Sequence, residues 1–255
     1  EEAGLLDEKY EQIYDDSKNK NSKELKNYIR EYSSQQIKHG KKFKSSKSVQ
    51  FKASIRFFVK VCNNKYRKYI FHTGRTRFRV LKNEVQLMVN RFFRYNFLNN
   101  NAIKEIKKDE KFLYFTLHSE PERALLFPAP YYMNQLNVIQ NIAKSIPIGF
   151  KLYVKEHPTQ RIFGWRDQTW YKEVLKLPNV ELLHPKISND DLLEKCSLTI
   201  SIGGTVGLES AFFNKPSIVF ADVIYSNLDS VEKVENFAQL SEKIELLLKS
   251  KININ

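Results

Sequence analysis

The sequence predicts an α/β protein with a parallel sheet that carries helices on both faces. A basic, mainly helical N-terminal region precedes it. Short apolar runs alternate with helical patterns through residues 109–255, the order typical of a parallel sheet, whose strands are joined by crossover helices. Residues 198–225 show this most clearly, because a β-rich run, a Gly-Gly-Thr turn, a short amphipathic helix and a second β-rich run follow one another. We therefore expect two regions, 1–108 and 109–255.

Size and composition are those of a globular protein without a disulfide framework. The 255 residues are enough to bury a core, and 42% of them are hydrophobic and 13% aromatic. Cys62 and Cys196 lie far apart and lack metal-ligand spacing, which fits a reduced, cytosolic setting. No apolar run is long enough to span a bilayer.

The positive charge is confined to the first part of the chain. Residues 1–110 contain 26 Lys and Arg against 13 Asp and Glu, whereas residues 111–255 contain 16 of each. Such asymmetry points to a polyanionic neighbour. A solvated helix face and an anionic membrane surface bound through residues 32–83 both remain open. Nucleic acid is not the expected partner, because the aromatic residues among these cations have the spacing of core or interfacial anchors.

The first hundred residues are expected to be helical. Apolar residues recur at helical spacing in 5–39 and again in 76–98, where Leu81, Val85, Met88, Val89, Phe92 and Phe93 form the pattern. Residues 40–48 form a polar, basic break, and residues 51–70 mix aromatic and basic side chains. The Asn run at 99–101 is predicted to end the second helix and to mark a domain boundary.

The remaining chain reads as five strands with helices between them. The predicted strands are 112–117, 151–155, 180–183, 198–202 and 217–220. The predicted helices are 132–145, 168–176, 188–195, a short one after residue 203, and 236–250. Ser188 opens one of these helices in a Ser-x-x-Asp capping pattern.

Three polar clusters follow the predicted strands. One begins at His118 after the first strand, the second is Glu156-His157-Pro158 after the second, and the third is the Gly-Gly-Thr turn at 203–205. Ligands of open α/β sheets bind beyond the carboxyl ends of the strands, so three clusters on one edge predict a binding site there. Helix N-termini and glycines would let a phosphate approach the main chain at 203–207.

Each cluster also has a structural explanation that stays open. His157-Pro158 is also typical of a tight turn, the segment after His118 of a solvated loop, and Gly-Gly-Thr of close helix–sheet packing. Several chemistries lack their sequence patterns: His-Glu-x-x-His for a metal, Gly-x-Ser-x-Gly for a serine hydrolase, and Gly-Lys-Ser/Thr for a phosphate loop. We expect no metal site.

Five segments resemble a known family. They are LHSEPE (117–122), YVKEHP (153–158), GWR (164–166), PNVELLHP (178–185) and GGTVGLESAFFNKPSIVF (203–220). In order and spacing they resemble the capsule polysaccharide biosynthesis family, which includes Kdo-transferase-like proteins of capsule and lipopolysaccharide assembly. The resemblance covers residues 111–230 and is specific for the family but much less so for donor and acceptor.

The resemblance implies a glycosyltransferase of the two-Rossmann (GT-B) kind, with 109–255 as its Rossmann-like C-terminal domain. It implies a nucleotide-sugar donor, CMP-linked by preference, and no tightly bound cofactor. The residues it implies for donor binding are Lys155, His157, Pro158, Ser201, Gly203, Gly204, Thr205 and Glu209. Among these, Gly203 to Thr205 would cradle the phosphate and Glu209 would accept the ribose hydroxyls.

The same resemblance implies which residues take part in transfer. His118, Glu120 and Glu122 would line the cleft near the sugar or the acceptor, and His157 would bond the departing phosphate. Either carboxylate would deprotonate the acceptor hydroxyl or stabilise an oxocarbenium-like state, and the sequence leaves that choice open.

The function predicted is transfer of a sugar, such as Kdo, to a glycan or glycolipid during capsule synthesis. The enzyme would be cytoplasmic and peripheral on the inner face of the membrane, where a lipid-linked acceptor lies. Two alternatives stay open: a non-catalytic nucleotide-sugar module of polysaccharide assembly or export, and a sugar-nucleotide epimerase or glycerophosphotransferase.

The N-terminal region departs from the family pattern. Such enzymes carry a complete N-terminal Rossmann domain for the acceptor, and residues 1–110 are too short, too basic and too helical to form one. We therefore expect residues 1–108 to be a remnant of that domain or a linker, and the chain to be a fragment or a trimmed relative.

Overall fold

A computed structural model describes residues 77–120, 125, 129–161 and 165–249, together with the single residues Lys52 and Ile55. Backbone contacts divide the chain into two compact units, Glu1–Lys82 and Asn83–Asn255. Nearly all described residues belong to the second unit. The helix predicted at 5–39, the break at 40–48 and most of 51–70 lie outside the described residues, as does Glu122.

Six parallel strands form one sheet. They are β1 (Lys111–Thr116), β2 (Phe150–Lys155), β3 (Val180–Leu183), β4 (Leu198–Ser201), β5 (Ser217–Val219) and β6 (Val231–Lys233). Their order across the sheet is β3-β2-β1-β4-β5-β6, and every neighbouring pair is parallel. The predicted Rossmann-like α/β fold is therefore confirmed. The sequence analysis missed β6, because its three residues include only one that is apolar and buried.

Six α-helices accompany the sheet in the described part of the chain. They are α1 (Arg77–Asn101), α2 (Gln135–Ser145), α3 (Gln168–Leu175), α4 (Asn189–Lys195), α5 (Val206–Ala211) and α6 (Leu240–Lys249). Side chains cap three of them at the N-terminus: Asn134 for α2, Asp167 for α3 and Ser188 for α4. These caps satisfy backbone N–H groups that have no partner within the helix. The predicted cap at Ser188 accepts from the Asp190 N–H at 3.2 Å.

The two faces of the sheet differ in chemistry. Side chains alternate along each strand, so Leu113 and Phe115 of β1 point to one face and Tyr114 to the other. The first face packs against α2 and α6 in the main apolar core. The second face is covered by α4 and α5 and carries buried polar side chains, including Lys155 and Ser201.

The topology places a crevice between β1 and β4. From β1 the chain proceeds outward through β2 and β3, and from β4 it proceeds to β5 and β6 on the other side. The connections at the carboxyl ends of β1 and β4 therefore lead in opposite directions and leave an opening between them. In open α/β sheets this switch point is where ligands bind.

Within the second unit, helix α1 buries a face other than the one that its apolar periodicity predicts. Leu98 is fully buried, whereas the apolar side chains of Val85, Met88, Phe92 and Phe93 are exposed. The helix ends at Asn101, within the Asn run predicted to stop it. In the described ranges, no helix combines the length and apolarity needed to cross a membrane.

Candidate functional site

The connections after β1 and β4 meet at the switch point. The Gly203 N–H, just beyond β4, donates to Nε2 of His118, two residues beyond β1, at 3.3 Å. His118 is buried at this junction. Two of the three polar clusters predicted from sequence are thus brought into contact across the crevice.

The glycine turn already uses its backbone donors within the protein. The Gly204 N–H donates to the hydroxyl of the buried Ser201 at 2.9 Å, as the Gly203 N–H donates to His118. The Gly204 carbonyl accepts from the Gly207 N–H at 3.3 Å and from the hydroxyl of Tyr225. A phosphate at this turn would replace the His118 and Ser201 contacts or bind at Thr205, which is exposed.

The glycines also permit close packing inside the protein. A Cβ at Gly207 would lie 3.0 Å from the Tyr225 ring, and one at Gly204 would lie 2.9 Å from Ser201 Oγ. Tyr225 is half-buried over the first turn of α5, and burial, with the nearby Glu209 carboxylate, raises its pKa to about 12. Close packing inside the protein, against Tyr225 and Ser201, therefore requires that positions 204 and 207 carry no side chain.

Glu209 lies on α5, one turn after Thr205. It accepts a hydrogen bond from the Thr205 hydroxyl at 2.9 Å. Burial is the largest influence on its carboxyl group and raises its pKa, and the Asp190 carboxylate acts in the same direction. The predicted neighbours Thr205 and Glu209 thus form one polar pair at the start of α5.

Lys155 lies beneath α4 on the polar face of the sheet. Its ammonium group donates to the Ile187 carbonyl at 2.6 Å and to the side-chain oxygen of Asn189. Burial lowers its pKa to about 8, although the carboxylates of Asp190 and Glu209 oppose that shift. The Lys155 ammonium group, which was predicted to help bind the donor, is therefore hydrogen-bonded to residues at the N-terminal end of α4.

His157 follows β2 and begins a tight turn. Its Nδ1 is 2.7 Å from the Thr159 hydroxyl, and Pro158 opens a 3-10 turn, Pro158–Arg161. In that turn Gln160 is buried, and its side-chain oxygen accepts from the Ser119 hydroxyl at 3.2 Å and from the Glu120 N–H at 2.8 Å. The connection after β2 is thereby fixed to the connection after β1.

A buried ionic network around Arg166 also links the connection after β1 to the connection after β2. Glu156 is buried and accepts from Arg166 Nε at 3.0 Å and from the Tyr171 hydroxyl at 2.7 Å. The Arg166 guanidinium also lies 2.7 Å from a Glu120 oxygen and donates to the His118 carbonyl at 2.5 Å. Burial raises the pKa of Glu156, and Arg166, the strongest opposing influence, favours its charged form.

Gln135, the first residue of α2, completes this arrangement. Its amide oxygen accepts from the His118 N–H at 2.8 Å, and its amide nitrogen donates to Glu120 at 2.5 Å and to the His118 carbonyl at 3.2 Å. The predicted site residues His118 and Glu120 are thus held by three buried residues, Gln135, Gln160 and Arg166. Sequence reasoning gave none of the three a role.

An open cavity lies at the opposite, amino edge of the sheet. Its volume is about 1120 Å³, and residues at the starts of β1 and β2 line it, together with Ile148 and Pro178. The polar residues discussed above lie at the carboxyl edge, so we place the candidate site there. Within the described ranges, no group of three His, Cys, Asp or Glu side chains is arranged to hold a metal ion.

A comparison with models of protein families shows which family this chain belongs to. The model described as "Capsule polysaccharide biosynthesis protein" matches residues 11–229. The chain belongs to the capsule polysaccharide biosynthesis family. The match covers most of the sequence and includes all three polar clusters. No curated protein matches the chain at a significant level.

Solved structures that are similar to part of this chain match it at low identity. A beta Kdo 2,7 transferase, KpsC of Thermosulfurimonas dismutans, is 14% identical over 59% of this chain and 47% of its own, with a TM-score of 0.42. The UDP-GlcNAc 2-epimerase of Methanocaldococcus jannaschii is 18% identical over 62% and 43%, with a TM-score of 0.45. The chain spans less than half of each of these two proteins.

Proposed function

We propose that this capsule-family chain forms the nucleotide-sugar-binding part of a glycosyltransferase for surface polysaccharide. The donor proposed is a CMP-linked sugar, such as Kdo, and the acceptor is a glycan or glycolipid. The observation that carries the proposal is the His118–Gly203 contact, which joins two polar clusters at the switch point of a parallel sheet.

In this proposal the donor lies along the carboxyl edge between β1 and β4. Its phosphate is near Thr205 and His157, and the ribose hydroxyls bond Glu209, which carries a raised pKa in a half-buried position. The sugar and the acceptor hydroxyl then lie toward Glu120, whose side chain is 42% exposed. Glu122, two residues further along the sequence, keeps its predicted role in this proposal.

The proposed reaction makes one bond and breaks one. The acceptor oxygen bonds the anomeric carbon of the sugar, the bond from that carbon to the phosphate oxygen breaks, and a carboxylate takes the hydroxyl proton. Negative charge develops on the departing phosphate, and donors already fixed in place stabilise it without reorganising. A protonated His157 would supply a charge-assisted hydrogen bond to that phosphate.

The basic N-terminal region fits a location close to an anionic membrane. All of the excess positive charge lies in residues 1–110. Cations near an anionic leaflet each contribute about 1 kcal/mol of attraction. We propose that residues 32–83 dock on the inner leaflet, which would bring the site to a lipid-linked acceptor.

Binding and transfer measured together test the proposed function. We expect CMP to bind with higher affinity than UDP in calorimetry, and mass spectrometry to show a sugar moved from a CMP-sugar to a glycan acceptor. His157→Ala should lower transfer by about 100-fold if His157 stabilises the leaving phosphate. Thr159→Ser, which retains a hydroxyl beside His157, is the matched control.

The other possible results of these measurements favour different functions. Binding of CMP without turnover would favour the non-catalytic module, and an isomerised or glycerol-phosphate product would favour the epimerase or glycerophosphotransferase. Failure to bind either nucleotide would overturn the proposal. Near-normal transfer by His157→Ala would remove His157 from the leaving-group role.

A further inference from the structure

Arg166 connects the candidate site to the interior of the protein. Its side chain is 4% exposed, and its guanidinium contacts Glu156, Glu120 and the His118 carbonyl with three different nitrogens. It also lies 4.7 Å from the centre of the Trp170 ring. A planar guanidinium is suited to such a position because its donors point in fixed directions.

Glu156, the buried partner of Arg166, accepts three hydrogen bonds. The Glu156 carboxylate accepts from Arg166, from the Tyr171 hydroxyl and from the His157 N–H, the last at 3.0 Å. Buried charges persist when they are paired and hydrogen-bonded in this way. Glu156 therefore acts as an anchor for the guanidinium.

The backbone beside Arg166 is held in an uncommon conformation. Trp165 has a φ of 65°, which is rare for a bulky residue, and its ring stacks on Tyr95 with 6.1 Å between centroids. Its carbonyl accepts from Arg94 at 2.8 Å and its N–H donates to the Gln160 carbonyl at 3.0 Å. These contacts fix the backbone at Trp165, and the next residue, Arg166, reaches inward from it.

The outer end of the connection is Glu120. Arg166 and Gln135 both contact Oε1 of this carboxylate, at 2.7 Å and 2.5 Å. Among the contacts between described residues, Oε2 receives none of these donors. One oxygen is therefore anchored, while the side chain as a whole stays 42% exposed.

We infer that Arg166 is a positioning residue that fixes Glu120 so that its Oε2 accepts a hydrogen bond from a substrate hydroxyl. This inference rests on the proposed function and deepens it, since it assigns Glu120 to binding a hydroxyl of the sugar or acceptor. The Arg166 guanidinium contacts the Glu156 carboxylate on its inner side and the Glu120 carboxylate on its outer side. Arg166 itself does not touch the substrate.

A double-mutant cycle tests this role. We expect Arg166→Lys and Glu120→Gln each to lower kcat/KM for sugar transfer by about 30-fold, because lysine cannot hold three partners at fixed angles. The double variant should lose no more than about threefold beyond either single variant, since both changes remove one unit. Independent roles would instead multiply to nearly a thousandfold loss.

A matched control separates positioning from loosening of the loop. Arg94→Lys alters a different guanidinium–carboxylate pair, with Asp167 at 3.0 Å, and keeps a cation near the Trp165 carbonyl. The structure describes both Arg94 and Glu120 and gives no contact between them. This variant should change kcat/KM by less than about threefold. CMP affinity should stay within about threefold in all variants, because the nucleotide is placed away from Glu120. If Arg166→Lys fails to fold, Gln135→Met removes the hydrogen bond that Glu120 Oε1 accepts and should show the same non-additivity with Glu120→Gln.

The outcomes distinguish the two proposals. Transfer by the wild type with multiplicative losses, or an Arg94→Lys loss as large as that of Arg166→Lys, would overturn the positioning role alone. Absence of nucleotide binding and transfer in the wild type would overturn the proposed function and this inference with it. Non-additive losses with CMP affinity retained would support both.

Discussion

At the scale of single residues, burial of Lys155 on the polar face of the sheet destabilises the charged form of its ammonium group. Lys155 is buried under α4, and its pKa is lowered to about 8 chiefly by burial. The folded protein therefore releases the Lys155 proton at a lower pH than the unfolded chain does. This difference makes stability depend on pH.

The pH dependence has a definite sign. Between pH 8 and pH 10 the unfolded chain keeps Lys155 protonated while the folded protein loses that proton, so the free energy of unfolding rises with pH. We expect a gain of roughly 2 kcal/mol over this interval for the wild type relative to Lys155→Met. Urea denaturation at several pH values measures it. Lys151→Met, at the amino end of the same strand, should follow the wild type, and parallel curves for wild type and Lys155→Met would contradict the shift.

Single-residue roles were only partly accessible from the sequence. The sequence predicts that His118 directly follows a strand, and in the structure His118 lies two residues after β1 and contacts Gly203. Arg166 and Gln135 act through contacts between distant loops, which neither periodicity nor spacing reveals. Glu156 adjoins the predicted His157 but points to the interior, and only the fold shows that it is an anchor.

At the scale of elements, α5 is shaped by the tyrosine that covers it. The Tyr225 hydroxyl bonds the Gly204 carbonyl, and its ring occupies the space beside Gly207. Because the hydroxyl is fixed at one end, the ring has little freedom to move away from the helix. The spacing between α5 and the connection after β5 therefore depends on a missing side chain at position 207.

A methyl group at position 207 tests this dependence. Gly207→Ala would place Cβ 3.0 Å from the Tyr225 ring, and we expect a loss of about 1 to 2 kcal/mol in stability. In a Tyr225→Ala background the same change should be neutral or stabilising by up to about 1 kcal/mol, because alanine favours a helix interior over glycine. Chemical denaturation of the four proteins measures the cycle. An equal loss in both backgrounds would contradict the steric explanation.

Most elements were predictable because their patterns are local. The predicted strands at 112–117, 151–155 and 180–183 match β1 to β3 within one residue at each end. The start of α2 was predicted too early, because Pro130–Tyr132 forms a separate 3-10 turn and Asn134 caps the helix. β6 has too few residues for a pattern, and only pairing with β5 makes it a strand.

At the scale of the whole molecule, strand order decides where chemistry is expected. The connections that leave β1 and β4 lead to opposite sides of the sheet, so the carboxyl edge opens between these two parallel strands. The sequence predicted a parallel sheet but gave no order for its strands, because order depends on which strands pair. The three polar clusters were expected to share one edge, and the described strands do end on one edge.

Hydrogen exchange discriminates between the two edges of the sheet. Saturating CMP should slow amide exchange in peptides covering 117–120 and 201–206, because the ligand would close the crevice. Peptides covering 144–151, which line the cavity at the amino edge, should be unaffected and serve as the internal control. Protection confined to 144–151 would move the nucleotide site to the other edge.

The position of β4 beside β1 has a consequence for how the protein matures. A growing chain makes β2 and β3 before it makes β4, so β1 gains its second neighbour only after two intervening strands have formed. Pairings between such distant segments form slowly. The crevice is complete only once β4 has paired with β1, so the nucleotide that we propose for it would bind only fully folded molecules. At a concentration one hundred times its Kd, this nucleotide would raise the free energy of unfolding by about 2.7 kcal/mol. The folded population would then depend on the supply of the nucleotide.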